Sequence, residues 1–392
     1  MANDVYIVSA TRSPIGVFGG SLKALSATEL GMQIMDSCIE RANIEKQDID
    51  QVVMGNCFDP MADNIARIAS VKVGIPVEVP AFSVTCTCGS GLQAIISGYQ
   101  SIKLNNAQVV LAGGVESMSN APYISPTQRW GKRLQHAQLF DLVWQSMQEY
   151  PIGVGMGLTA ENLAQRNDIS RQEQDELALT SQKRACKAIN EGRFKEEITP
   201  IKITGKRGDT VSVETDEHPR FDMTIEKLGK WPAAFKKDGT VTAGTSSGIN
   251  DGAAAIILMH EDKVKELGIK PLARIVDHSM VGVDPHYMGI GPVPAVKKVL
   301  EKAGLSLNDI ELIELNEAFA AQYLACEKEL GLNREITNVN GSGIALGHPV
   351  GCTGARMIVS LIHEMKKRDV SKGLSTLCAG GGHGLAMVVE SL

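Results

Sequence analysis

Three pairs of segments in this 392-residue chain repeat one another in the same order and at nearly the same separation. That repetition restricts the fold more than any other feature. The run 42–52 (ANIEKQDIDQV) echoes 303–313 (AGLSLNDIELI) at an offset of 261. The run 89–95 (GSGLQAI) echoes 352–358 (CTGARMI) at 263, and 110–114 (VLAGG) echoes 377–381 (LCAGG) at 267. Chance likeness between glycine-rich turns would not keep order, so the chain reads as an internal duplication. Within the first copy, strand-like runs (VYIVSA, DIDQVVMG, AQVVLAGG) alternate with helix-period runs at 26–42 and 89–103, the pattern of an α/β protein. The duplicated halves are then 1–118 and 250–392. The segment 119–249 between them differs from both. It starts as loop (SNAPYISPTQRWGKR), has helical spacing from Thr159 to Asn190, and is rich in Gly, Thr, Asp and Lys over 200–248. An insertion of that size forms its own lobe over the scaffold.

Composition narrows the function classes. Net charge is −6, from 45 acidic and 39 basic residues, which offers no footprint for nucleic acid. No run approaches the ~18 apolar residues of a membrane span, and the start of the chain reads as a strand instead of a signal peptide. A cytoplasmic protein with free thiols is therefore expected from its eight cysteines. Cys38 and Cys186 read as small buried hydrophobes. Cys86-x-Cys88 lacks the second matching pair of a zinc site, so no metal is expected.

Four clusters carry possible chemistry. Thr85-Cys86-Thr87-Cys88-Gly89-Ser90-Gly91 follows the β-rich run AFSVT and opens a helix. A helix N-terminus favours thiolate over thiol, so a lowered Cys88 pKa is expected there. Asn340–Gly354 holds five glycines with His348 between Gly347 and Pro349, a loop that could offer a base to a thiol. Leu377–Gly384 brings Cys378 to a glycine loop at Gly380, Gly381 and Gly382, whose bare N–H groups suit an oxyanion. Glu314–Ala320 sets Asn316 at a strand-to-helix change. Because the first and third clusters are related by the duplication, they are expected to converge on one region.

These motifs together resemble the thiolase family: Cys88-Gly-Ser-Gly-Leu, Gly113-Gly-Val-Glu-Ser-Met-Ser119, Asn316-Glu-Ala-Phe-Ala, Ala345-Leu-Gly-His348-Pro, and Cys378 with Gly380-Gly-Gly382. Weaker matches lie at Ala10–Gly16 and Thr242–Gly252, so the likeness runs from end to end. The resemblance implies a five-layered αβαβα fold of two halves plus a loop domain for CoA binding and oligomerisation. It implies acetyl-CoA C-acetyltransferase activity through an acetyl-Cys88 intermediate, with His348 taking the thiol proton and Cys378 removing the α-proton. Asn316, through a bound water, and His348 would hold the enolate, while N–H groups of Cys88 and Gly380 would hold the tetrahedral oxyanion. Carried-over CoA and acyl contacts are Arg220, Ala243, Ser247, Met156, Met288, Ala318 and Phe319. CoA is a substrate and product, so no cofactor is implied, and a homo-oligomer (dimer or tetramer) is. A 3-ketoacyl-CoA thiolase of broader chain length in fatty acid metabolism is the alternative. A ketoacyl synthase would not need Cys378, and a non-enzymatic scaffold would not need the four catalytic residues. The chain departs from the family pattern at Thr85-Cys86-Thr87 before the nucleophile, at Gly155, at His383 and over 126–150. Cys86 beside Cys88 raises the further expectation of a reversible disulfide.

Overall fold

The computed structural model describes residues 4–148, 152, 154–205 and 208–392. Among the described residues the central sheet has ten strands, nine of them on one path: β1 (Val5–Arg12), β2 (Gln51–Gly55), β3 (Ala81–Val84), β4 (Val109–Ser117), β5 (Asn250–His260), β6 (Ala273–Gly282), β7 (Leu312–Leu315), β8 (Lys372–Ala379) and β9 (His383–Ser391); the tenth, Gly16–Val17, pairs with β5. Their order is β7-β8-β9-β6-β1-β5-β4-β2-β3. The join between β1 and β6 is slight, resting on Tyr6 opposite Arg274 and Ile7 opposite Ala273. Two half-sheets therefore touch at a corner. In each, parallel pairs (β2 with β3 and β4; β7 with β8) sit beside antiparallel ones.

Each sequence echo lands on equivalent elements. The first runs from the end of α1 (Ala27–Ala42) into β2, and from the end of α6 (Pro292–Ala303) into β7. The second covers the starts of α3 (Ser90–Lys103) and α9 (Thr353–Arg368), and the third lies on β4 and the end of β8. The insertion enters between β4 and its antiparallel partner β5. The strand that follows the insertion thus completes the first half-sheet, and the boundary expected at 250 is corrected to beyond His260. The helical pattern read from Thr159 to Asn190 is two helices, α4 (Met156–Arg166) and α5 (Arg171–Asn190). Asp168, at φ +48°, turns the chain between them, and Ser170 caps α5 in a reciprocal capping box with Glu173.

The layers follow from burial. Every residue of β4 and β5 is buried, as strands covered on both faces require. One face of the first half-sheet (Val52, Leu111, Ile257) packs on α1 and α2 (Ile65–Val73). The other (Val53, Val110, Ile256) packs on α3 and α9. The same two helices also meet Leu377, Leu385 and Met387 of the second half-sheet, whose far face packs on α6 and α7 (Ala320–Leu330). The result is the expected αβαβα sandwich, with α3 and α9 as its middle layer.

The inserted lobe is strapped to β1 through one buried guanidinium. Arg12 is fully buried. It donates to Glu197 Oε1 at 2.6 Å and to both Asp216 carboxylate oxygens at 2.7 and 2.9 Å, and it stacks 5.0 Å from the Phe194 ring. Removing one partner of such a cluster leaves buried charge uncompensated. Arg12→Ala is expected to lose ~3–5 kcal/mol of unfolding free energy in a urea titration; a loss under ~1 kcal/mol would show that the lobe does not depend on this contact.

Candidate active site

Parallel neighbours end side by side, so the loops after β2 and β3 emerge together. After β3 comes the turn that carries Cys88. Thr87 adopts φ +45°, a costly region for a β-branched residue, and its hydroxyl donates to Gly380 O at 3.3 Å. Gly89 caps α3, leaving Cys88 just ahead of the helix. Cys88, His348 and Gly380 line one cavity of about 290 Å³. Met156, Ser247, Met288, Ala318 and Phe319, all expected contacts, line it too. Cys378 and Asn316 do not line it; both are fully buried, each two residues before a lining residue, Gly380 and Ala318.

Arg220 and Ala243 do not reach the cavity. Ala243 is exposed. Arg220 lies over the Trp231 ring at 4.9 Å, beside a surface pocket shared with Lys183, Lys187 and Phe221. Gly244 packs on the same Trp231 ring, and Ser247 N–H donates to Ala318 O at 2.9 Å. The stretch 243–247 therefore leads from the cavity outward to Arg220.

His348 is held from three sides. Its backbone N–H donates to Asn250 Oδ1 at 2.9 Å. The preceding Gly347 has φ +100°, and a Cβ there would stand 2.6 Å from the Asn250 side chain, so only glycine fits. Its Nδ1 is 2.6 Å from Thr353 Oγ1, and that hydroxyl gives its one hydrogen to Pro349 O at 2.9 Å. Thr353 must then accept from Nδ1–H, which leaves Nε2 as the unprotonated atom. Nε2 has no partner among the described residues, and neither side-chain atom of Asn316 has one. Buried polar atoms left unpaired cost about 1–3 kcal/mol each and mark sites built for something other than stability.

The pKa pattern overturns one expectation. Cys88 is pushed up to about 11 because burial outweighs the hydrogen bonds from the backbone of Gly380 and of Cys88 itself. The helix start expected to favour thiolate is present, but desolvation is larger. Cys378 is raised well above its ordinary value by burial and then by Cys88. Burial, with Arg356 second, pushes His348 down to about 3. At rest Cys88 is a neutral thiol and His348 a neutral imidazole.

All eight cysteines are free thiols. Cys86 does not line the cavity; it packs against the middle layer instead. Cys57, which sequence reasoning passed over, does line it, and its Sγ donates to Thr87 O at 3.3 Å. The signal was its place just past β2, the parallel neighbour of the strand before Cys88. Phe58, Met147 and Val350 were also missed; they form an apolar wall near Cys88.

A histidine whose folded pKa lies below its unfolded one contributes stability in full above ~6.5 and loses it as pH falls toward the folded value. His348 is such a group, and His218, pushed down to about 4 mainly by burial, is a second. Between pH 6 and 4, His348→Asn is expected to flatten the fall in unfolding free energy by ~1 kcal/mol per pH unit relative to wild type. His218 acts alike in both proteins and cancels. Urea titrations at four pH values check this, and equal slopes would contradict it.

Comparison with known proteins agrees with this geometry. A family model described as the thiolase N-terminal domain matches residues 5–262, and one described as the thiolase C-terminal domain matches 269–391. The chain is 48% identical to an acetyl-CoA acetyltransferase of Syntrophomonas wolfei subsp. wolfei, over 100% of both chains. The crystal structure of the Bacillus anthracis acetyl-CoA acetyltransferase superposes with a TM-score of 0.98 at 50% identity, covering 100% of this chain and 99% of that one. Human mitochondrial 3-ketoacyl-CoA thiolase in complex with CoA gives 0.95 at 44% identity, covering 100% and 98%. With both halves matched and the site assembled between them, this chain belongs to the thiolase family.

Proposed function

We propose that the chain is an acetyl-CoA C-acetyltransferase that condenses two acetyl-CoA to acetoacetyl-CoA and CoA, reversibly, through acetyl-Cys88. One observation carries the reading: a thiol, an imidazole with Nε2 free and the Gly380 loop meet in a single cavity, with buried Cys378 and Asn316 each two residues before a lining residue, Gly380 and Ala318. In the first half-reaction Cys88 Sγ attacks the thioester carbonyl as its proton passes to His348 Nε2. N–H groups of Cys88 and Gly380 receive the oxyanion, and the CoA thiolate leaves with the proton from His348. In the second, Cys378 gives its proton to His348 Nε2 and, as the thiolate, takes the α-proton of a second acetyl-CoA. The enolate, held by protonated His348 and by Asn316 through a water, attacks the acetyl carbon, and Cys88 departs with the proton from His348. Both thiols are raised by burial, which supports proton transfers that occur only once substrate is seated.

CoA and acyl-CoA are the partners this family binds. The path from Ser247 past Gly244 and Trp231 supports Arg220 as a contact for the nucleotide phosphates, with Ala243 and Ser247 along the pantetheine. Exposed Phe82 on the edge strand β3, with Trp130, Leu134, Leu139 and Trp144 of the insertion, supports a homo-oligomer. Among the described residues no helix is long and apolar enough to cross a membrane, and eight free thiols support a cytoplasmic setting.

The apolar wall of Phe58, Met147 and Val350 favours a second reading, a 3-ketoacyl-CoA thiolase of broader chain length. Thiolysis of 3-ketoacyl-CoAs from four to sixteen carbons separates the two. Rates confined to four or five carbons are expected, and appreciable long-chain rates would favour the second. Cys88→Ala is expected to abolish thiolysis and condensation alike; retained turnover would refute the acyl-transfer reading. Cys378→Ser is expected to slow both overall reactions by ~100-fold or more, while acetyl-CoA still labels Cys88 in a mass measurement.

A further inference from the structure

The Gly113–Ser119 motif contributes no group to the proposed reaction, yet it holds a fully buried carboxylate that joins the two sides of the site. Glu116 is on β4 with none of its surface exposed. Four donors address it. Asn56 Nδ2 and Phe58 N–H reach Oε1, both at 3.0 Å. Cys57 N–H reaches Oε2 at 3.1 Å, and Gly351 N–H reaches the same oxygen at 2.8 Å. Among the described residues no cation pairs with it.

The donors come from two different loops. Asn56–Phe58 abuts the nucleophile turn: Thr85 Oγ1 donates to Asn56 O at 2.9 Å, and Cys57 Sγ donates to Thr87 O. Gly351 belongs to the loop that carries His348, and its Oε2 bond is the shortest of the four. The nucleophile turn and the base loop are thus both referenced to one carboxylate, through opposite sets of N–H groups. We propose that Glu116 is a positioning residue that sets the nucleophile turn of Cys88 against the base loop of His348. Every partner is a donor, so only an acceptor at both oxygens satisfies the set. A glutamine, whichever way it is turned, presents an NH2 to two N–H groups and forfeits two of the four bonds.

The inference rests on the acyl-transfer reading, and the experiment separates the two. Wild-type protein without thiolysis of acetoacetyl-CoA would sink the reading itself. With an active wild type, Glu116→Gln is expected to lower kcat at least tenfold per folded molecule, with KM for CoA changed less than twofold, because the path toward Arg220 lies elsewhere. Folded fraction is read from circular dichroism. Asn56→Ala, which removes one of the four donors to Glu116 together with side-chain bonds to Val115 O and from Asp59 N–H, is expected to lower kcat by a smaller factor of about three or more. A Glu116→Gln kcat within twofold of wild type, or a raised KM at unchanged kcat, would overturn the proposal. Should Glu116→Gln fail to fold, Asn56→Ala decides: a kcat within twofold of wild type overturns it.

Discussion

The closest approach in the middle layer sets the geometry of everything above it. Helices α3 and α9 begin in backbone contact. A Cβ on Gly91 would lie 2.8 Å from Ala355 N, and one on Gly354 would lie 2.5 Å from Leu92 N. Neither clash could be relieved by a side chain moving, so both positions must be glycine. The two glycines are partners in the duplication, and each lies in the first turn of its helix. Their contact sits on the pseudo-twofold between the halves. The residues that precede each helix are thereby brought together, Cys88 on one side and Gly351 on the other, each three positions before its glycine. The turn that carries Cys88 and the end of the loop that carries His348 thus occupy equivalent places in the two halves.

This explains what could be read from residues alone. Glycine spacing reports backbone geometry directly, so Cys88, His348 and Gly380 were visible as members of glycine loops. The duplication was visible because helix-to-strand passages repeated in order. The strand 250–260 was assigned to the wrong half because pairing partners across a 130-residue insertion leave no local trace. The Cys88 pKa was expected in the wrong direction for a related reason. A helix start is a local feature, whereas desolvation depends on Phe58, Val350 and Leu385, which arrive from distant strands and loops. Cys57 and Glu116 escaped notice because their roles exist only once parallel strands lie side by side.

Burial also clarifies how two thiols and a histidine coexist. A thiolate beside a second thiolate in apolar surroundings would be heavily penalised, and Cys88 raises the cost of ionising Cys378. Keeping all three groups neutral removes that penalty from the resting state. It also means that charge must be created within the reaction. On the proposed reaction the donors that meet that charge are already placed: N–H groups of Cys88 and Gly380 near the sulfur, Asn316 without a partner among the described residues, and His348 with its Nδ1 proton pinned by Thr353.

Such an arrangement favours the transition state over the ground state. A neutral thiol and a neutral thioester make little use of these donors, while a developing oxyanion uses them fully. Orphaned polar atoms at Asn316 and His348 destabilise the free protein, and their low-dielectric surroundings strengthen their interaction with charge when it forms. The Arg12 cluster and the long buried strands β4 and β5 offset that cost. Rigid packing elsewhere is what allows the site to remain unsatisfied without collapsing onto itself.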